Sequence, residues 1–179
     1  MGCAYWAAQR PTTDAMAADR GARLGFGLAA SVLAADVATK AAIVAWVEYG
    51  ARHEWLPILN IVHVLNRGAA FSFLHDAGGW QRFFFIAIAL AASVFLAVLL
   101  RRPGSSQPER MAFGLILGGA LANMFDRIGR GAVVDWIDFH WGAHHWPAFN
   151  VADIGITVGA ALIVFHELFG RRRVSEVNG

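Results

Sequence analysis

Cysteine is nearly missing from this chain. Cys3 is the only one among 179 residues, which excludes an internal disulfide framework and any cysteine-rich metal site. Lysine is equally scarce: Lys40 stands alone among 15 basic residues, the rest being arginine. Charge of either sign is thin, at 16% of residues against about 25% in an average globular chain. The 15 basic residues face 13 acidic ones, a net charge of +2, too even a balance for a nucleic-acid binder. Internal repeats and low-complexity tracts are absent as well. What fills the chain is apolar: 57% hydrophobic residues and a mean hydropathy of +0.47. That composition excludes intrinsic disorder and argues against a soluble domain, leaving a small membrane protein.

Four segments are apolar and long enough to cross a bilayer. Phe83–Leu100 carries no charge over eighteen residues, about 27 Å of helix at 1.5 Å per residue and roughly the thickness of the hydrocarbon core. The expected spans are 24–46, 82–100, 111–128 and 150–169, with outer segments 47–81 and 129–149. Arg20 and Arg23 ahead of Leu24–Ala35 also fit a cleavable signal peptide. The apolar run resumes at Ala41 and reaches Trp46, however, so an uncleaved span is expected. Residues 1–22 are expected to be a disordered cytoplasmic tail, or an over-extended start with Met16 as initiator, and 171–179 a basic cytoplasmic tail. The domain between is 23–170. With the N-terminus inside, nine arginines lie on the cytoplasmic side and five outside, and six of the seven tryptophans fall at or in the outer segments. Both counts place the termini in the cytoplasm and the working face outside.

The outer segments differ in kind. Ile58, Ile61, Val62 and Val64 give the first a strand character, and Asn66-Arg67-Gly68 reads as a turn. A small sheet on the membrane surface is expected there. Ionisable residues inside spans cost roughly 2.5–3.5 kcal/mol each on insertion scales, so each needs a reason. Asp36 and Lys40 are four apart and suit a mutual ion pair. Asn123, Asp126 and Arg127 share one helix face, and Asn150 and Asp153 open the last span. Three helices thus aim polar groups into the outer half of the bilayer. The pairs Gly114/Gly118 and Gly155/Gly159 would let spans three and four pack closely, bringing Asp135 and Asp153 together at the outer rim. Two carboxylates held close do not both ionise cheaply; one keeps a proton, so the pair can activate water and protonate a leaving group.

Plainer readings stand beside these. Asp153 with Asn150 is also an ordinary capping arrangement; Asp135 taken alone reads as a solvated loop acid, and so does Asp138. Arg127 could simply snorkel to headgroups. His140, His144 and His145 lack a recognisable ligand spacing, and His166-Glu167-Leu168-Phe169-Gly170 fails a zinc-protease HExxH at its last residue. No metal and no cofactor are expected. Two other classes remain open: a serine hydrolase using Ser72 with Lys40 as base, which lacks a nucleophile-elbow context, and a proton-coupled carrier or channel. The apolar cytoplasmic half and the four short spans speak against the latter.

In chain order the polar clusters form five blocks: Asp36-Val37-Ala38-Thr39-Lys40; Asn66-Arg67-Gly68-Ala69-Ala70-Phe71; Gly118 through Asn123-Met124-Phe125-Asp126-Arg127; Val133-Val134-Asp135; and Phe149-Asn150-Val151-Ala152-Asp153. Over residues 23 to 170 this closely resembles the bacterial lipoprotein signal peptidases, or signal peptidase II. The resemblance implies an all-α membrane protein of four transmembrane helices with a small periplasmic β-cradle, seated in the bacterial inner membrane. It implies an aspartic endopeptidase that cuts before the diacylglyceryl-modified cysteine of prolipoproteins and is inhibited by globomycin-like cyclic peptides. Its partners are then prolipoproteins and membrane lipids, with no nucleic acid. Asp135 and Asp153 match the family's catalytic pair. Asn66, Gly68, Asn123, Arg127 and Asn150 match substrate- or inhibitor-binding motif positions, and Asp36, Lys40 and Asp126 match supporting ones. Trp136 departs from the phenylalanine common there and is expected to alter the lipid-facing rim.

Overall fold

The computed structural model describes residues 13–68 and 79–170, with side chains from residue 20 onward. Four helices are long and apolar enough to cross a membrane: α1 Thr13–Trp46, α2 Gln81–Arg101, α3 Gln107–Arg130 and α4 Val151–Phe165, the last continued by a π-helical turn His166–Gly170. Helix α1 starts at Thr13, so residues 13–22 of the expected tail are helical. Residues 1–12 and the tail 171–179 lie outside the described residues, as do Ala69, Ala70, Phe71 and Ser72.

Helix α3 packs against all three other spans, and its sequence is built for that place. It is the least hydropathic of the four and the most buried, whereas α2 is the most hydropathic and turns Phe83, Leu90, Phe95 and Val98 outward. Close approach is achieved by glycine. A Cβ at Gly114 or Gly118 would run into the carbonyls of Gly25 and Ala29 on α1, and one at Gly119 into the carbonyl of Ala152 on α4. The expected pairing is thereby corrected: Gly114 and Gly118 serve α1, Gly119 and Gly159 let α3 and α4 meet, and Gly155 faces both Val32 of α1 and the Leu115 carbonyl of α3. A capping box between Ser106 and Glu109 opens α3, and left-handed Gly131 (φ 78°) closes it.

Four antiparallel strands form one sheet in the order β1 Arg52–Leu56, β2 Leu59–Asn66, β3 Val133–Trp141 and β4 His144–His145. The second outer segment, for which the sequence suggested no strand, thus supplies two of the four strands. Register shifts interrupt β1–β2 between Glu54 and Leu56 and β2–β3 between Ile61 and Val64. Such irregularities bend a strand and re-aim its side chains. The sheet is anchored to the end of α1 where the His63 ring meets the Val47 carbonyl at 2.8 Å.

Candidate active site

Every polar residue that the sequence places in the outer half of the bilayer joins one network. It starts on α1. Lys40 and Asp36 are sealed from solvent, at 1% and 0% exposed, and sit four residues apart on one helix face with Nζ 2.6 Å from Oδ2. The other carboxylate oxygen of Asp36 accepts the backbone N–H of Ala152 at 2.8 Å, fixing the first turn of α4 to α1. Lys40 also lies 2.9 Å from Asp126 on α3. Asp126 in turn pairs with Arg130 one turn on and accepts the Val134 N–H at 3.2 Å, which sets where β3 leaves α3. A buried ion cluster is thus the joint between α1, α3, α4 and the sheet.

Two carboxylates stand on that joint. Asp135, 2% exposed, comes from β3; Asp153 comes from the first turn of α4. Asn150 is the N-cap of α4 in a capping box with Asp153, its side chain accepting from the Asp153 N–H at 3.0 Å and its own N–H donating to Asp153 Oδ2 at 3.2 Å. Its amide nitrogen simultaneously donates to Asp135 Oδ1 at 2.7 Å. The capping and site readings of Asn150 therefore hold together. Asn66 donates to Asp135 Oδ2 at 3.0 Å and accepts the Gly68 N–H at 2.8 Å. Gly68 has φ +103°, and a side chain there would meet the Phe85 ring, so glycine is required. Asn123 donates to Asp153 Oδ1 at 2.8 Å. Arg127 donates to the Asn123 carbonyl at 3.2 Å and lies over the Phe85 ring at 5.0 Å, which holds its guanidinium inside the site rather than out at the headgroups.

Burial pushes the Asp135 carboxyl up to about 6, helped by the nearby charge of Asp153 and opposed by the hydrogen bonds from Asn66 and Asn150 and the charge of Lys40. Asp135 therefore holds its proton to higher pH than an ordinary carboxyl does, which suits it to general acid–base work on a water molecule.

Sequence reasoning missed a second cluster. Asp138 is buried rather than solvated: Asn60 donates to it at 2.9 Å, the His145 ring reaches it at 2.9 Å, and Arg52 stands 3.5 Å away. Burial raises its carboxyl, but these hydrogen bonds and charges outweigh burial and hold it below the usual range. Its partners come from β1, β2 and β4, so only sheet register brings them together and no local motif announces them. Trp136 lines an apolar cavity of about 570 Å³ with Thr39, Ile43 and Trp46 of α1 and Ile61 of β2. His166 contacts Ser106 at 3.2 Å, at the opposite end of the bundle from the two carboxylates. Among the described residues, no three histidine, cysteine, aspartate or glutamate side chains are grouped to hold a metal.

Comparison with known proteins gives a consistent picture. The family described as Signal peptidase (SPase) II matches residues 28–169. A lipoprotein signal peptidase of Paraburkholderia phymatum is 51% identical over 142 residues, covering 79% of this chain and 86% of that one. The corresponding protein of Burkholderia thailandensis is 47% identical over the same shares. Among solved structures, a bacterial membrane enzyme determined by the in meso method superposes with a TM-score of 0.72 at 31% identity, over 81% of this chain and 92% of that one.

Proposed function

The chain belongs to the signal peptidase II family, and from that premise we propose that it removes the signal peptide of prolipoproteins by cutting before their diacylglyceryl-modified cysteine, with Asp135 and Asp153 as catalytic pair. The observation that carries this reading is the pair itself. Two carboxylates from different elements are held by three asparagine amides, those of Asn66, Asn123 and Asn150, in a pocket that raises one of them toward neutrality.

The reaction follows from that geometry. Asp153 sits in the first turn of α4, where helix N-terminal dipoles favour negative charge; it accepts a proton from water as the oxygen attacks the carbonyl preceding the modified cysteine. Asp135 delivers its proton to the carbonyl oxygen, giving a tetrahedral diol. On collapse a diol hydroxyl returns a proton to Asp135 while Asp153 gives its proton to the leaving amine, so the C–N bond breaks and both carboxyls regain their starting states. The site lies at the periplasmic face of the inner membrane, with both termini cytoplasmic. Arg127, held against Phe85, orients the substrate backbone. The acyl chains remain against apolar surface near the outer rim, which the Trp136 cavity enlarges. A globomycin-like peptide occupies the same pocket and blocks it.

The test is cleavage of a purified, diacylglyceryl-modified prolipoprotein in detergent by wild type, Asp135→Asn, Asp153→Asn and Ser72→Ala, with and without EDTA. Wild type and Ser72→Ala cleave whether or not EDTA is present; both Asp variants stay inserted and lose cleavage by about 10³-fold or more. Full cleavage by Asp153→Asn overturns the dyad, and loss in Ser72→Ala alone restores the serine-hydrolase reading.

A further inference from the structure

The single lysine of the chain is a buried charge that the reaction above leaves unused. An ammonium offers three donors and no acceptor. Lys40 Nζ makes ion-pair contacts with Asp36 at 2.6 Å and Asp126 at 2.9 Å and donates a hydrogen bond to Asn123 Oδ1 at 3.0 Å, an oxygen that the Asn150 amide also approaches at 3.4 Å. Neutralising the two carboxylates requires only the first two contacts. The third goes to a neutral group with a second, different end.

That difference matters for the catalytic pair. Lys40 presents only donors, so the amide oxygen of Asn123 must face it and the amide nitrogen must face away. The nitrogen is then the atom that meets Asp153 Oδ1, at 2.8 Å. A rotated amide would set nitrogen against ammonium and oxygen against carboxylate, two repulsions in a dry pocket. We infer that Lys40 is a positioning residue for the cleavage reaction: it locks the Asn123 amide in the orientation that donates to Asp153, and so fixes where the carboxylate proposed to activate water sits. The inference rests on the aspartate-dyad reading above.

The surrounding charges show how to separate this role from stability. Lys40 faces Asp36 from its own helix and Asp126 from α3, and Asp126 is shared with Arg130. Asp153 has Asp135 of β3 and Arg127 of α3 as its charged neighbours. Lys40→Met alone strands a carboxylate. The pair Asp36→Asn/Lys40→Met removes one charge of each sign, keeps an acceptor for the Ala152 N–H, and leaves Asp126 with Arg130.

The full-length charge-balanced variant is compared with wild type for Tm, and for kcat and KM on the diacylglyceryl-modified prolipoprotein across pH. Expected are a KM close to wild type and a kcat lowered about 10- to 100-fold, part of the roughly 10²–10⁴ that a positioned base supplies. Asn123→Leu, which leaves every ion pair intact, shows the same loss, and adding the charge-balanced pair to it costs nothing more. If the charge-balanced variant fails to fold, Lys40→Gln replaces it: a neutral amide no longer dictates which end of Asn123 it meets, and the same loss in kcat with KM close to wild type is expected. Wild-type kcat in the folded lysine variant, or losses that multiply with Asn123→Leu, overturn the inference. Failure of the dyad reading is distinct, because it appears as cleavage by Asp153→Asn.

Discussion

Asn66 shows how a single amide sets a proton. It donates to Asp135 at 3.0 Å, a bond that favours the charged carboxylate and is one of the influences holding Asp135 down against burial. Removing it with Asn66→Ala raises the Asp135 value further. The proposed reaction needs Asp135 protonated, so the alkaline limb of kcat/KM moves to higher pH in the variant; an unmoved or lowered limb refutes the assignment of the acid. Asp153, Asn123 and Asn150 were legible in the sequence because polar residues inside apolar spans are costly and therefore conspicuous; Asp135, in an outer segment, was legible only through the Val133-Val134-Asp135 block of the family resemblance. Asp138 was not, because an acid in a polar outer segment is ordinary until sheet register surrounds it with Asn60, His145 and Arg52.

At the scale of elements, the helices were readable and the sheet only half so. An uninterrupted apolar run announces α2 by length alone, and α4 is broken only by Asp153 in its first turn. In β3 there is no simple alternation, Val133, Val134 and Asp135 being buried in succession. Asp135 and Asp138 occupy buried positions while Phe139 and Trp141 are exposed, so a pattern search for apolar-in, polar-out residues passes over it. Glycine pairs were visible, but which neighbour each serves depends on how α3 is rotated among three partners. That rotation yields a test. Gly119 meets the Ala152 carbonyl, whereas Gly27 of α1 has open space where a side chain would go. Gly119→Val is expected to cost about 1–3 kcal/mol by overpacking and to lower kcat as well, since pushing α4 from α3 separates Asp153 from Asn123. Gly27→Ala is expected to be neutral, or stabilising by roughly 0.5–1 kcal/mol. Tm and cleavage measured on both variants decide it, and equal effects at the two positions contradict the packing described.

For the whole molecule, the same burial that prepares the catalytic pair taxes its stability, with a sign that pH exposes. Asp135 titrates at 3.8 as an ordinary carboxyl and at about 6 in the fold. Between those values the native state binds more protons than the unfolded one. The stabilising contribution of this group is therefore complete below pH 3.8 and is lost as pH rises through 6, by about 3 kcal/mol in all. Asp138 runs the other way: its carboxyl is held down, so its contribution is present above the usual carboxylate range and lost on acidification. Wild-type stability alone mixes the two. Asp135→Asn separates them, because it removes one titration and leaves the other. The fixed cost of replacing a carboxylate oxygen by an amide nitrogen cancels when the variant and wild type are compared at two pH values. The Tm difference, variant minus wild type, is expected to grow from pH 4 to pH 7 in thermal denaturation of the detergent-solubilised protein. A difference constant across that range shows that Asp135 is not held protonated by the fold, and removes the physical basis for its acting as the acid.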